Sequence, residues 1–213
     1  MSIAYVPLDI LTTLPNEDDV INFSKTYGQT MGKCWLNTVV YSSIPLNIWE
    51  DRDKFNYILD NNIDLGHDPE YFYNFDKIFP EIAGIIEQLP YKKIKYACLF
   101  QQIKEVAPHN DETRYIENAS SNPYKNLKRI NIFLTKHHYK SFYMYGNGTK
   151  QHISIPKTRS VFAFNDEEYE HGADWAGEDK CLLVTNGELD NDIHQKLVEQ
   201  SIEKFNNEVL YYE

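Results

Sequence analysis

Between Lys92 and Asn186 the chain alternates apolar and polar positions in short bursts broken by turn residues, the pattern of half-buried strands. KIKYACLFQQI (93–103), LKRINIFLT (127–135), SFYMYG (141–146), KQHISI (150–155), RSVFAFN (159–165) and KCLLVTN (180–186) are the predicted strands. Gly146-Asn147-Gly148 reads as a tight hairpin turn between two of them, and Pro156 stops the strand that follows. Closely spaced strands with no helix between them predict a sandwich or jelly roll.

On either side the period changes. Asn16-Glu17-Asp18-Asp19 caps a short helix over VINFSKTYG that ends at Gly28, and CWLNTVVYS (34–42) reads as a strand. Asp68-Pro69 opens a longer helix whose Phe72, Phe75, Ile78, Phe79, Ile82, Ile85, Ile86 and Leu89 recur at helical spacing, with Pro80 kinking or dividing it. At the C-terminal end Ile193, Leu197, Ile202, Phe205 and Val209 predict one buried helical stripe. The expected architecture is an α+β, β-rich single domain over 1–213. Residues 1–90 supply support, 91–190 a jelly-roll core, and 191–213 a C-terminal helix.

Length and composition fit one domain with a full core, for which 16 Tyr and 11 Phe supply ample apolar volume. No run has the length of a transmembrane helix, and MSIAYVPLDILTT lacks the basic and apolar regions of a signal peptide. Cys34, Cys98 and Cys181 are odd in number and scattered, matching neither a disulfide framework nor a thiolate zinc site, which suggests a cytoplasmic protein. The net charge of -11 argues against nucleic acid as a partner. The charge is uneven: residues 91–160 carry 4 acids and 13 bases, whereas both flanks are strongly acidic. Oligomeric state is not readable.

The basic block holds His109-Asn110-Asp111. Residues i and i+2 of a strand point the same way, so His109 and Asp111 can grip one ion together. His171, 62 positions later, follows the strand RSVFAFN and would complete a 2-His-1-carboxylate face, the set that suits non-heme Fe(II) and leaves positions open for oxygen chemistry. Chance puts one H-x-D in roughly half of comparable chains, so the surroundings must carry the inference. Pro108 and an apolar strand precede the motif, and Lys180 begins CLLVT nine residues after His171. A lysine buried there would need an anionic partner. In LKRINIFL, alternation sets Arg129, Asn131 and Phe133 opposite Lys128, Ile130, Ile132 and Leu134, so Arg129 and Asn131 could form a polar binding wall. Among the other histidines, His67 and His137-His138 lie in turns and His194 is expected to be exposed on the terminal helix. His152 is the rival ligand.

Taken together, the strand leading into APHND, LKRINIFL, RSVFAFN before EYEHGAD, and Lys180 at the start of KCLLVT resemble the Fe(II)/2-oxoglutarate-dependent dioxygenases. The resemblance covers about residues 94–186. It is nearest the aspartyl/asparaginyl β-hydroxylase and prolyl-hydroxylase-like branches. It implies a double-stranded β-helix (jelly-roll) core, with His109, Asp111 and His171 holding Fe(II). It further implies 2-oxoglutarate as cosubstrate, its distal carboxylate on Lys180, and Arg129 and Asn131 sharing that carboxylate or holding substrate. The implied activity is oxidative decarboxylation of 2-oxoglutarate to succinate, with hydroxylation of a C–H of a protein side chain or a small amino-acid-like molecule. Two alternatives stand beside it: a cupin-like metalloenzyme without 2-oxoglutarate, with His152 as a fourth ligand, and a non-catalytic jelly-roll binding module.

Overall fold

The structure is a computed structural model of the chain, and it describes residues 2–27, 29–31, 35–40, 79–102, 104–110, 122–135, 141–155, 160–175 and 180–213. Its strands are β1 (Ser2–Pro7), β2 (Gln29–Met31), β3 (Trp35–Val40), β4 (Tyr91–Gln102), β5 (Val106–His109), β6 (Arg129–Phe133), β7 (Phe142–Gly146), β8 (Thr149–His152), β9 (Val161–Phe164), β10 (His171–Ala173), β11 (Lys180–Leu189) and β12 (Leu210–Tyr212). Eight form one sheet in the order β12-β1-β9-β6-β11-β4-β3-β2, and four form the other in the order β5-β10-β7-β8.

From β4 onward the pairing is nested. β4 lies antiparallel to β11, β5 to β10, β6 to β9 and β7 to β8, so the first strand of eight meets the last and the fourth meets the fifth. The pairs alternate between the two sheets, with β4/β11 and β6/β9 in the larger and β5/β10 and β7/β8 in the smaller. This is the double-stranded β-helix that the sequence predicts. The hairpin between β7 and β8 turns where expected, with Asn147 at φ 53° and Gly148 at φ 73°, the left-handed pair that a two-residue turn requires.

Parity along the strands builds two cores. Ile130, Ile132 and Leu134 join Leu99, Val161, Ala163, Cys181 and Leu183 on the outer face of the larger sheet. Among the described residues three helices cover that face: α1 (Glu17–Tyr27), α2 (Pro80–Ile86) and α3 (Asn191–Phe205), contributing Val20, Ile82, Ile85 and Val198. Phe133, Phe162, Phe164, Leu182 and Val184 face the other way and meet Phe142 and Met144 of the smaller sheet. The space between the sheets is therefore apolar and aromatic except where polar residues interrupt it.

Several expectations need correction. β1 is a strand that period-2 alternation does not predict, because Ala4, Tyr5 and Val6 are all buried. β12 pairs with it at the sheet edge, and a 3-10 turn at Asn206–Glu208 takes Val209 off the helix. Asn16 caps α1 as predicted, accepting from the amides of Asp18 and Asp19. Pro80 starts a helix of its own, and the predicted segment before Phe79 lies outside the described residues.

The buried stripe of α3 is His194, Val198, Ser201 and Phe205, while Ile193 is 57% exposed. Hydrogen bonds explain the shift: Ser201 Oγ accepts from the Asp9 amide at 2.9 Å, and His194 Nε2 meets the Leu127 carbonyl at 3.0 Å. His194, expected to be exposed, is fully buried, with Nδ1 3.0 Å from Asn122 Nδ2. Both ring nitrogens are thus used by a neutral imidazole, Nε2–H donating and Nδ1 accepting.

Burial holds the His194 pKa below its ordinary 6.5. The unfolded chain then binds the extra proton first, so this residue's contribution to stability is present above about pH 6.5 and is lost as pH falls toward the lower folded value. The expected result is a urea midpoint that drops between pH 7 and pH 5, with a smaller drop in His194→Gln than in the parent.

Candidate active site

His109 closes β5 and His171 opens β10, and the two stand opposite one another in the antiparallel register. Their rings lie with centroids 4.5 Å apart. His171 is buried, its ring 4.8 Å from that of Phe164 and 6.2 Å from that of Phe142, so the aromatic core forms its back wall. His109 is half-buried, and its Nδ1 lies 2.8 Å from the Ala107 carbonyl. That bond places the proton on Nδ1 and leaves the Nε2 lone pair as the ligating position, the usual way a metal-binding histidine is oriented.

Asp111 lies outside the described residues, which stop at Asn110 and resume at Asn122. Among the described residues no group of three or more His, Cys, Asp or Glu could hold a metal ion. The two imidazoles that are described fit two corners of the Fe(II) set.

Asn110 reaches across to the other ligand segment, its Nδ2 donating to the Glu167 carbonyl at 3.0 Å. The turn from Asp166 to Glu170, which delivers His171, is held by further bonds. Arg129 Nε donates to Asp166 Oδ2 at 3.1 Å, and Lys128 Nζ pairs with Glu167 at 2.7 Å. The acidic turn is visible in the sequence but its anchors are not, because each partner lies 37 or more residues away.

Lys180 opens β11 on the facing sheet, in parity with Leu182 and Val184, and is 1% exposed. Its Nζ donates to the Asp174 carbonyl at 3.1 Å. No carboxylate pairs with it among the described residues. Burial pushes its pKa down to about 8, against a smaller opposing pull from the Asp174 charge.

Arg129 and Asn131 do face the inter-sheet space with Phe133, as alternation requires, but Arg129 is far from Lys180. In the β6/β11 register Leu182 pairs with Phe133 and Val184 with Asn131, which puts Arg129 level with the sixth residue after Lys180, about 20 Å along the strands. Each is also anchored at its own end, Lys180 beyond β10 and Arg129 beyond β9. The Asn131 side-chain oxygen, between the two ends, is buried with no hydrogen-bond partner among the described residues. Such an atom is a place for a polar ligand or a water.

His152 sits elsewhere. It pairs in register with Tyr143 on the outer face of the smaller sheet, and its Nε2 is 2.6 Å from Asp174 Oδ2. Lys150 holds the other oxygen at 2.7 Å. With the sheet between them, His152 does not join the two site histidines. His67, His137 and His138 lie outside the described residues.

No protein-family model matches the chain, and no curated protein does. Among solved structures it is similar to a Pseudomonas putida prolyl-4-hydroxylase at 9% identity and a TM-score of 0.41, covering 85% of this chain and 93% of that one. It is also similar to an oxidoreductase of the 2OG-Fe(II) oxygenase family from Burkholderia pseudomallei at 15% identity and a TM-score of 0.32, covering 74% and 68%. The nested strand order carries the fold, and the site stands on its own geometry.

Proposed function

We propose that the protein is an Fe(II)- and 2-oxoglutarate-dependent oxygenase that hydroxylates a C–H of a peptide side chain or a small amino-acid-like molecule. The observation that carries this reading is a histidine pair at one end of the inter-sheet space, with a buried ammonium at the other that has no carboxylate partner among the described residues. From His171 to Asp174 the chain advances three residues, about 10 Å, a gap of the size that a metal-chelating five-carbon diacid can bridge.

In this reading His109, His171 and Asp111 hold Fe(II). When bound, the metal supplies the oxygen chemistry that couples decarboxylation of 2-oxoglutarate to hydroxylation of substrate. Lys180 neutralises the distal carboxylate and sets how deep the cosubstrate sits. Phe142, Phe162 and Phe164 keep water from the histidine end, and Asn131 offers a polar contact along the wall. Substrate reaches the site from the end where His109 is half-exposed, beside the turn carrying Glu167, Glu168 and Glu170. A four-ligand, cupin-like site is disfavoured because its fourth ligand, His152, lies on the other face.

Titration of the anaerobic Fe(II) protein with 2-oxoglutarate is expected to produce a metal-to-ligand charge-transfer band, and oxygen to release succinate. Both disappear in His171→Ala. Fe(II) protein that shows neither band nor succinate overturns the reading.

A further inference from the structure

The smaller sheet contains an irregularity at the metal end, and one tyrosine spans it. Between the pairs His171/His109 and Ala173/Val106, β10 advances two residues while β5 advances three, so β5 carries a β-bulge. Bulges beside active sites re-aim the side chain that follows. Here that side chain is His109.

Tyr143 lies on the outer face of β7, paired with Gly172 of β10. Its hydroxyl passes over Gly172 and donates to the Val106 carbonyl of β5 at 2.9 Å. One side chain thereby ties three adjacent strands. The crossing depends on glycine: a Cβ at Gly172 would collide with the Tyr143 hydroxyl and stand 2.6 Å from the Val106 carbonyl oxygen. The ring is held from above by Lys150, whose Nζ is 3.9 Å from its centroid, and by the edge of His152 at 5.9 Å. Although it faces outward, Tyr143 is 4% exposed.

We propose that Tyr143 is a positioning residue for the metal-binding histidines: its hydroxyl, passed over Gly172, fixes the Val106 carbonyl and with it the β5 bulge that sets His109 opposite His171. The inference rests on the proposed iron site, and it assigns a role to a residue that touches neither metal nor substrate. It also explains why a glycine follows His171 directly. Any side chain there would close the path that the hydroxyl takes.

The full chain carrying Tyr143→Phe removes only the oxygen. Its affinity for Co(II), read from the visible absorption of the ion, is expected to fall about 10- to 100-fold, the range for residues that orient metal ligands. The His109 imidazole nitrogen resonances of the metal-free protein should shift as well. Gly172→Ala, which expels the hydroxyl without altering the tyrosine, should reproduce both changes, whereas the neighbouring Tyr145→Phe should produce neither. Parent-like Co(II) affinity together with unchanged His109 resonances in Tyr143→Phe overturns the positioning role. Failure of the parent to bind Co(II) overturns the iron site itself, and the resonances of the metal-free variants still report whether Tyr143 sets His109.

Discussion

Lys180→Met is expected to weaken 2-oxoglutarate binding by about 30-fold or more while leaving metal affinity intact, and to make the cosubstrate-free protein more stable. The two effects share one cause. The ammonium is buried against a carbonyl oxygen, with no carboxylate paired to it among the described residues. That arrangement costs the empty protein desolvation energy that a bound anion would offset. Truncating one partner of a buried, hydrogen-bonded charge pair costs about 2–5 kcal/mol, a loss of about 30-fold at the low end and several thousand-fold at the high end. Methionine fills nearly the same volume without the charge.

The pH dependence follows with opposite signs for binding and stability. The folded, empty protein holds Lys180 at about 8 against an ordinary 10.5. Between these values the unfolded chain binds the extra proton, so stability of the empty protein rises with pH through this window. The diacid needs the charged form, so its affinity weakens about tenfold per unit above pH 8. Calorimetric titration of the metal-loaded protein from pH 7 to pH 9.5 reads the second effect, and thermal melts of both variants read the first. Parent-like 2-oxoglutarate affinity in Lys180→Met would place the distal carboxylate elsewhere.

What the sequence could show about this site, and what it could not, divides along a physical line. Strand parity is local, so it put Arg129, Asn131 and Phe133 on one face and Ile130 and Ile132 on the other. Strand ends are marked by turn residues, so His109, His171 and Lys180 could be placed at the mouths of strands. The partner across a sheet or between sheets is not local. Nothing near Arg129 in the chain announces Asp166, and nothing near His152 says that Tyr143 will turn it to the outer face. β1 is illegible for a related reason, since a strand buried on both sides has no period to read. His194 shows the converse: a polar residue beside an apolar stripe became part of the buried face because Asn122 and Leu127 satisfied it.

Arg129→Met is expected to be the most destabilising of these single substitutions and to leave 2-oxoglutarate affinity nearly untouched. Asp166 has no solvent exposure, and Arg129 is 9% exposed. Removing one member of a buried pair leaves the other charge in a poor solvent, a loss of about 3–5 kcal/mol, whereas replacing both by apolar groups of similar size is often close to neutral. Arg129→Met/Asp166→Leu should therefore recover much of the urea midpoint that Arg129→Met loses. The separation of Arg129 from Lys180 along the sheet argues against a shared carboxylate, so cosubstrate binding by the folded, metal-saturated fraction should stay close to that of the parent. Metal affinity should fall in both variants, because the pair pins the turn that delivers His171, and restoring stability does not restore the pin. An Arg129→Met protein of full stability that has lost 2-oxoglutarate would reverse the assignment, making Arg129 the carboxylate clamp and Asp166 the counter-ion it leaves on binding.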